Sequence, residues 1–513
     1  MSKSAGLIPT PLVGAGDIPF LSCIVAKGLE FCCLNLNWKV LVTIFRVFKM
    51  KSLLLSLFVA LVVGSSLSAE KPNVLFIFAD DQCYETIGAL GHTDIDTPNL
   101  DRLANQGTAF THTYNMGGWH GAICVASRTM INTGRFLWRA RDLEPNLAQE
   151  ISNDRMWSQL MRNAGYETFF TGKWHVKADT GAIFDHVSHV RPGMPGPVFY
   201  PEAYGRPIEG QPDPWSPTDP KFEGFWAGGK HWSEVVADNA ENFMNITSES
   251  DKPFFMYLAF NAPHDPRQAP QEYLDRYPLD RIKVPENFAP EYPYSKGANA
   301  AEIRDEVLAP YPRTEYAVKV HRREYYAIIT HMDDQIGRIL DALEASGKAD
   351  NTYIFFTADH GLAVGHHGFI GKQNMYEHSL RTPLLVMGPN IPEGKRIDTP
   401  VYLQDVMATS LELASVPQPE YVEFKSLLPL IEGKRNEQYD YIYGAYEPDS
   451  QRAFIARGFK MIYYPRIDTY RLYNLDTDPM EMNDLAGDPK YEGTLMTLKS
   501  EFAWFKGRMA DPL

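Results

Sequence analysis

Four mostly apolar runs along the chain each end abruptly in polar residues. They are Asn73–Ala79, Glu167–Thr171, Pro253–Phe260 and Thr352–Ala358. Runs of this length and composition predict strands that are buried on both faces, as in a parallel sheet. Since ligands in such sheets bind beyond the carboxyl ends of the strands, we expect the polar residues that follow these runs to form a site.

Segments with helical spacing lie between the predicted strands. Thr97 and Pro98 are typical of a helix start and Gly107 of its end, and a second apolar face ends before Gly165. The longest helix is predicted over Glu324–Ser346 and is ended by Gly347. This alternation predicts an α/β fold in which a large mixed, mostly parallel sheet is sandwiched by helices.

The C-terminal part of the chain has a different pattern. From about Tyr439 onward, short alternating segments predict a smaller antiparallel sheet, followed by a C-terminal helix. We therefore predict a main α/β domain over 71–435 and an α+β subdomain over 436–513. The stretch from about Gly181 to Gly229 is rich in Pro, Gly and Trp and is interpreted as a surface excursion that shapes a pocket rim.

The beginning of the chain resembles a targeting segment. Met50 and Lys51 precede the apolar run Leu53–Val63, and small residues follow up to Ala69. This pattern predicts a secretory signal peptide over 50–69, with 1–49 as an upstream extension from a start site assigned too early. The apolar run is too short to span a bilayer. A secreted or periplasmic protein without a stable membrane span is expected; a buried helix, or an anchor that includes 20–47, is the alternative.

The charge balance excludes one class of partner. The chain of 513 residues has a net charge of −15, which becomes −19 without residues 1–69. An acidic chain with no concentrated basic face is not expected to bind nucleic acid. An anionic substrate would therefore need a local cluster of cations.

The polar residues at the predicted strand ends indicate a cation site. Asp80 and Asp81 are adjacent carboxylates that repel each other unless a cation lies between them. Asp359 and His360 follow a second strand and strengthen this hypothesis. For the first pair alone, the alternative is one Asp that caps a helix and a neighbour that is solvated.

Two cysteines remain beyond residue 69, so a disulfide framework is not expected. Cys124 leads into a helix near Arg128, which indicates either an electrostatically activated thiol or a small buried side chain. Cys83 is expected to serve packing.

Taken in order, these motifs resemble those of the type I sulfatases of the alkaline phosphatase superfamily. The resemblance covers Pro72 to about Ala486. It is carried by Asp80-Asp81, by Cys124-Val-Ala-Ser-Arg128, by Gly172-Lys-Trp-His175, by Asp359-His-Gly361 and by Arg471-Leu-Tyr-Asn-Leu-Asp-Thr-Asp-Pro479. Each motif is short, but their order and strand context are specific.

The resemblance implies a mechanism. Cys124 would be oxidised by a formylglycine-generating maturation enzyme, and the hydrated aldehyde would supply the nucleophile. Arg128 would orient the nucleophile, Lys173 and Lys372 would bind sulfate oxygens, His175 would take the nucleophile's proton, and His264 would protonate the leaving oxygen. One divalent cation per chain, Ca²⁺ in most relatives, would be bound by Asp80, Asp81, modified Cys124, Asp359 and His360.

Two positions depart from the family pattern. Ala126 replaces the commoner Pro, at a position that affects recognition by the formylglycine-generating enzyme. His360 replaces the Asn of many members, and this leaves the identity of the metal open because Ca²⁺ prefers oxygen ligands. His366 and His367 are predicted either to contact substrate or to form a turn.

A sulfatase of sulfated carbohydrates is the expected function. A phosphonate or phosphodiester hydrolase, and a non-catalytic glycan-binding protein with unmodified Cys124, are the alternatives. Five tryptophans are predicted either to stack on sugar rings at the pocket rim or to belong to the core: Trp119, Trp174, Trp215, Trp226 and Trp232.

Overall fold

The computed structural model describes residues 70–92, 94–195, 201–292 and 303–513, and residues 71–513 form one compact unit. The predicted extension over 1–49 and signal peptide over 50–69 lie outside the described residues. Within the described ranges, no helix is both long enough and apolar enough to span a membrane.

The four apolar runs form strands, as predicted. Two match their predicted bounds, and the run from Glu167 continues as a strand to Lys173. The strands are β1 Asn73–Ala79, β2 Thr108–Tyr114, β3 Gly117–Gly118, β4 Glu167–Lys173, β5 His186–Arg191, β6 Phe254–Ala259, β7 Thr352–Ala358, β8 Arg381–Met387, β9 Lys395–Ile397, β10 Val401–Tyr402, β11 Ile442–Tyr446, β12 Gln451–Ala456, β13 Phe459–Tyr464 and β14 Thr469–Asn474.

These strands form two sheets in the described part of the chain. The larger has the order β10-β2-β8-β7-β1-β6-β4-β5, with β9 also paired to β2. Its pairs are parallel except where β8 meets β7 and β2. The smaller has the order β14-β13-β12-β11-β3 and is antiparallel except where β11 meets β3. The predicted fold class is confirmed.

Both faces of the large sheet are buried, which explains the continuous apolar runs. In β1, Leu75 and Ile77 belong to one hydrophobic cluster, whereas Phe76 and Phe78 belong to another on the opposite face. Successive side chains of a strand point to opposite faces, so each run must be apolar throughout. The sheet is thus a central layer between two layers of helices.

The longest helix begins nine residues before its predicted start. It spans Glu315–Ala345, and the Thr314 hydroxyl accepts a hydrogen bond from the Ala317 amide. Its first turns carry charged residues, so the apolar pattern missed them. The helices are α1 Pro98–Gln106, α2 Ile123–Thr133, α3 Leu137–Leu143, α4 Leu147–Ser152, α5 Trp157–Asn163, α6 Thr180–Ile183, α7 Trp232–Ser248, α8 Gln271–Asp275, α9 Glu315–Ala345, α10 Glu377–Leu380, α11 Asp405–Leu413, α12 Leu428–Ile431 and α13 Glu492–Arg508.

The predicted excursion contains a strand that the sequence pattern did not reveal. Strand β5 is an edge strand of the large sheet, and its side chains are half-exposed, as in His186, or exposed, as in His189. A sheet edge does not require apolar residues on both faces, so no apolar run marks it.

A glycine allows the small sheet to approach the residues that precede Cys124. Strand β3 pairs with β11, and a Cβ at Gly117 would lie 2.0 Å from the Ala445 carbonyl oxygen. Gly117 also has φ +82, a conformation that other residues rarely adopt. The C-terminal sheet therefore lies directly against the Gly-rich segment that leads to α2.

A buried lysine of the small sheet pairs with α10, the short helix that precedes β8. Lys460 of β13 lies 3.1 Å from a carboxylate oxygen of Glu377 in α10 and 2.8 Å from one of Glu481, and all three side chains are buried. We expect Lys460→Met to lower the free energy of unfolding by about 3–5 kcal/mol, because it removes the buried cation that lies between Glu377 and Glu481. Denaturant unfolding measures this change.

Arg457→Met is the matched control, since Arg457 pairs with Glu501 on the surface with 57% of its side chain exposed. Its loss is expected to cost at most about 1 kcal/mol. Equal effects of the two substitutions would contradict the assigned role of Lys460.

Candidate active site

Four adjacent strands deliver polar residues to one edge of the large sheet. In the spatial order β7-β1-β6-β4, these strands are parallel, and their carboxyl ends lie side by side. The residues at these ends are Asp359 and His360 after β7, Asp80 and Asp81 after β1, His264 after β6, and Lys173 and His175 at the end of β4. The structure thus brings together every predicted strand-end residue.

Three buried carboxylates form the floor of the site. The Asp81 amide donates to Asp359 Oδ1 at 3.1 Å. Burial raises the pKa of Asp80 well above its ordinary value, and the charges of Asp359 and Asp81 add to this rise. Burial, together with Asp359, also raises the pKa of Asp81 to about 6. Such a cluster carries its full negative charge only when enough positive charge lies beside it.

Two lysines and an arginine supply positive charge. Lys173 pairs with Asp80, and Lys372 Nζ lies 2.6 Å from each carboxylate oxygen of Asp81. Arg128 Nε donates to Asp359 Oδ2 at 2.8 Å. Burial acts to raise the pKa of Asp359, but Arg128 and the two lysines hold it below its ordinary value.

Helix α2 positions Cys124 and Arg128 one turn apart. Residues four positions apart lie on the same helix face, so both point towards the carboxylates. Cys124 Sγ lies 3.3 Å from Asp80 Oδ1 and 3.0 Å from Lys372 Nζ. Arg128 also donates to the Lys173 carbonyl at 2.8 Å and lies over the Phe78 ring.

The surroundings of the unmodified Cys124 favour the neutral thiol over the activated form. Burial raises the pKa of its thiol well above the ordinary value, and the charges of Asp359 and Asp80 outweigh the opposing lysines. A thiolate is the reactive form of cysteine, and this environment disfavours it. Cys83 is also buried, and burial raises its pKa.

His264 and His175 flank the site as neutral imidazoles. His264 Nδ1 lies 2.7 Å from the Asp265 carbonyl oxygen, and its Nε2 lies 3.6 Å from Asp81 Oδ2. Burial and the charge of Lys372 hold its pKa well below the ordinary value. Burial and Lys173 lower the pKa of His175 to about 2. His175 Nδ1 is buried without a hydrogen-bond partner among the described residues.

The donor set fits a divalent cation. His360 donates from Nδ1 to the Gly361 carbonyl at 3.0 Å, which leaves its buried Nε2 without a partner in the described ranges. Metal-bound histidines commonly donate their other N–H in this way. Donor atoms of Asp80, Asp81, Cys124 and His264 all lie within 4.8 Å of one another. The buried carboxylates and the free nitrogen of His360 could therefore hold the metal. His264, which was predicted as a general acid and not as a ligand, also belongs to the group of close donor atoms.

A cleft of about 610 Å³ opens above these residues. Cys124, His175, His264 and Lys372 line it, together with residues that the sequence analysis missed. Four of the missed residues are charged: Arg304, Asp305, Glu447 and Arg466. Their sequence surroundings carry no motif, and Glu447 and Arg466 come from the C-terminal sheet.

Two predicted contributors to the pocket lie elsewhere. His366 bonds to Asn287 Oδ1 and to Glu85, whereas His367 packs on Tyr376, and neither lines the cleft. The five tryptophans also do not line it: four are nearly buried, and Trp226 is half-buried. Since the indole N–H groups of Trp174 and Trp232 donate to nearby carbonyls, these rings are satisfied within the fold.

Comparison with known proteins identifies the family. A model of the sulfatase family matches residues 72–416, and a model of the N-sulphoglucosamine sulphohydrolase C-terminal region matches residues 365–507. The chain belongs to the sulfatase family. It is therefore a sulfuric ester hydrolase of the alkaline phosphatase superfamily.

Relatives of this sulfatase match most of its length. An N-acetylglucosamine-6-O-sulfatase of Bacteroides thetaiotaomicron is 27% identical over 82% of this chain and 84% of the relative. An arylsulfatase of Clostridium perfringens is 27% identical over 82% of this chain and 92% of the relative.

Solved structures share the fold of the sulfatase. One, in complex with its substrate D-glucosamine-2-N,6-O-disulfate, has a TM-score of 0.67 at 23% identity and covers 86% of this chain and 99% of its own. A phosphonate monoester hydrolase from Silicibacter pomeroyi has the same TM-score at 20% identity and covers 86% of this chain and 96% of its own.

Proposed function

We propose that this sulfatase hydrolyses sulfate monoesters of a sulfated carbohydrate, with a formylglycine derived from Cys124 as nucleophile and one bound divalent cation. The observation that carries the proposal is the position of Cys124 at the floor of the cleft, beside Asp80 and Lys372. Relatives that act on sulfated sugars support the substrate class. We also propose a secreted or periplasmic location from the signal-like segment over 50–69.

Each group of residues has a distinct role in this proposal. Asp80, Asp81, Asp359, His360 and modified Cys124 would hold the cation, which supplies positive charge to a sulfate oxygen and to the nucleophile. Lys173 and Lys372 bind the remaining sulfate oxygens, and Arg128 fixes Asp359 and the strand that carries Lys173. The hydrated aldehyde supplies one hydroxyl to attack sulfur and a second whose deprotonation expels sulfate and restores the aldehyde.

The two histidines move protons. The neutral ring of His175 accepts the proton from the hydrated aldehyde, and His264 gives a proton to the oxygen that leaves with the sugar. The pKa of His264 is low without substrate because of burial and Lys372. A bound sulfate ester places negative charge beside these groups, which raises the pKa of His264 towards the range needed for an acid.

The purified protein, produced together with a formylglycine-generating enzyme, tests the activity. Sulfate, phosphate monoester, phosphodiester and phosphonate substrates with the same 4-nitrophenyl leaving group are compared by kcat/KM. The sulfate is expected to be hydrolysed best. A phosphodiester or phosphonate preference would favour the other hydrolase class, and no hydrolysis of any substrate would favour a glycan-binding protein.

We expect His264→Asn to reduce kcat/KM for a sulfated sugar by about 10²–10⁴-fold, because the alkoxide leaving group depends on an acid. Hydrolysis of 4-nitrophenyl sulfate is expected to fall much less, since nitrophenolate leaves without protonation. Steady-state kinetics on the two substrates measures the difference. Equal losses on both would contradict the assigned role.

Gly193 is expected to act as a positioning residue for His175. A Cβ at Gly193 would lie 2.3–2.6 Å from the His175 ring, and the neighbouring Pro192 carbonyl is held by Asn261 at 2.9 Å. We expect Gly193→Ala to displace the ring and lower kcat by up to ~100-fold with little change in KM. Gly181→Ala, where the nearest atom is 3.6 Å away, is the control and should retain activity. Unchanged kcat in Gly193→Ala would refute this role.

A further inference from the structure

The loop that carries Lys372 is irregular, yet three successive amides in it are bound by side chains. Glu306 accepts hydrogen bonds from the amides of Ile370 and Gly371, each at 2.9 Å. The amide of Lys372 donates to Oε1 of Gln373 at 3.1 Å. Side chains therefore satisfy these amides in place of a helix or strand.

Gln373 joins this loop to two other parts of the cleft. Its Nε2 donates to Asp305 Oδ2 at 2.8 Å and to the Gly121 carbonyl oxygen at 3.3 Å. Asp305 belongs to the 3₁₀ turn Arg304–Leu308, and Gly121 lies in the segment that leads into Cys124. One side chain thus connects the loop of Lys372 to the chain that carries the proposed nucleophile.

The orientation of the Gln373 side-chain amide follows from its partners. The backbone amide of Lys372 can only donate, so it requires the side-chain oxygen. The Asp305 carboxylate and the Gly121 carbonyl accept, so they require the two N–H groups of Nε2. Gln373 is 4% exposed, and the loss of its side chain would leave these partners without a ready replacement from water.

Lys372 depends on this connection because its ammonium group must meet a group from another part of the chain. Its Nζ lies 3.0 Å from Cys124 Sγ and 2.6 Å from each carboxylate oxygen of Asp81. A lysine side chain has a flexible stem, so its length alone does not fix the ammonium group. The relative position of the two backbones decides where the ammonium group lies, and Gln373 bonds to both of them.

We infer that Gln373 is a positioning residue, which holds the ammonium group of Lys372 at its working distance from the nucleophile at position 124. The inference rests on the proposed function, in which Lys372 binds a sulfate oxygen. It adds a residue that acts through Lys372 and not on the substrate.

A double-mutant cycle of Gln373→Met and Lys372→Met tests the inference. The four proteins, each produced with the formylglycine-generating enzyme, are compared by kcat/KM for 4-nitrophenyl sulfate. Gln373→Met alone is expected to lower kcat/KM by about 10- to 100-fold, because a small displacement of a catalytic group has effects of this size. In the Lys372→Met background, the same change is expected to cost less than about 3-fold, because the group that Gln373 positions is absent.

Binding of inorganic sulfate, measured by isothermal titration calorimetry, gives the same cycle without turnover. We expect Gln373→Met to weaken sulfate binding in the wild-type background and to leave it unchanged in the Lys372→Met background. Gln373→Glu keeps the size of the side chain but cannot donate, so it takes the place of Gln373→Met if that variant does not fold.

Gln438→Met is the matched control. Gln438 is 3% exposed, its Nε2 donates to the carbonyls of Lys425 and Ser426 at 3.0 and 3.2 Å, and it does not line the cleft. This variant should lose stability in thermal unfolding but retain kcat/KM and sulfate binding.

Two results would overturn the inference. One is wild-type activity in Gln373→Met, and the other is an equal loss in both backgrounds, which would mean that Gln373 acts independently of Lys372. Absence of hydrolysis by the wild type would instead refute the proposed function, and the calorimetric cycle would still test Gln373.

Discussion

Replacing Cys124 with alanine is expected to lower kcat/KM for sulfate esters by at least ~10⁴-fold, because loss of a nucleophile removes the covalent route. The side chain is small and buried, so the fold should tolerate the change. Steady-state kinetics with 4-nitrophenyl sulfate measures the loss, and thermal unfolding verifies the fold.

Cys83→Ala is the matched control for this experiment. Both cysteines are buried, with 1% exposure for Cys83 and 2% for Cys124, but Cys83 does not line the cleft. The Cys83→Ala variant should therefore retain activity, and its stability in thermal unfolding should fall about as much as that of Cys124→Ala. Retention of more than a tenth of the activity in Cys124→Ala would contradict the mechanism.

Asp359→Asn is expected to reduce both metal content and activity. Asp359 contacts the Asp81 amide and Arg128 in a fully buried position, so its charge would be central to the proposed cation site. We expect metal content, measured by inductively coupled plasma mass spectrometry, to fall well below one ion per chain. A loss of kcat/KM of at least ~10³-fold is expected, since the proposed cation would supply several kcal/mol of charge stabilisation.

Asp333→Asn provides the control for a buried carboxylate elsewhere. Asp333 accepts hydrogen bonds from the amides of Asn99 and Leu100, and burial raises its pKa to about 7. The control should affect stability and leave the metal content intact. Chelation of the wild type should abolish activity, and Ca²⁺ should restore it. Full metal content in Asp359→Asn would refute this ligand assignment.

The residues that follow the strands could be predicted because a strand that is buried on both faces appears in the sequence as a continuous apolar run. Asp80 and Asp359 each follow an apolar run, and parallel strands place such positions at one edge. The spatial order of the strands in the sheet could not be predicted in this way, since it depends on how the connections between strands cross the sheet. The chain order β1, β4, β6, β7 becomes β7-β1-β6-β4 in space.

Other parts of the site have no local signal. Lys372 lies in a loop without periodicity, and its contact with Cys124 joins residues that are 248 positions apart. The family resemblance indicated Lys372, whereas nothing indicated Arg304 or Arg466. Gly193 was missed because its importance comes from the ring of His175, which packs against it in space.

The positions of the five tryptophans could not be predicted from sequence composition. Aromatic residues that line a pocket and aromatic residues in a core look alike in the sequence, and only their packing in the structure distinguishes them. Trp174 packs beside Phe170 and Tyr257, which places it in the core. The five tryptophans therefore do not form a rim of this cleft.

The mass of the peptide that contains Cys124 tests the central claim most directly. Trypsin releases residues 103–128, in which Cys124 is the sole cysteine. In a preparation that hydrolyses sulfate esters, we expect this peptide to be about 18 Da lighter than the cysteine form, as conversion of the thiol to an aldehyde requires. An active preparation that yields only the unmodified cysteine peptide would contradict the account.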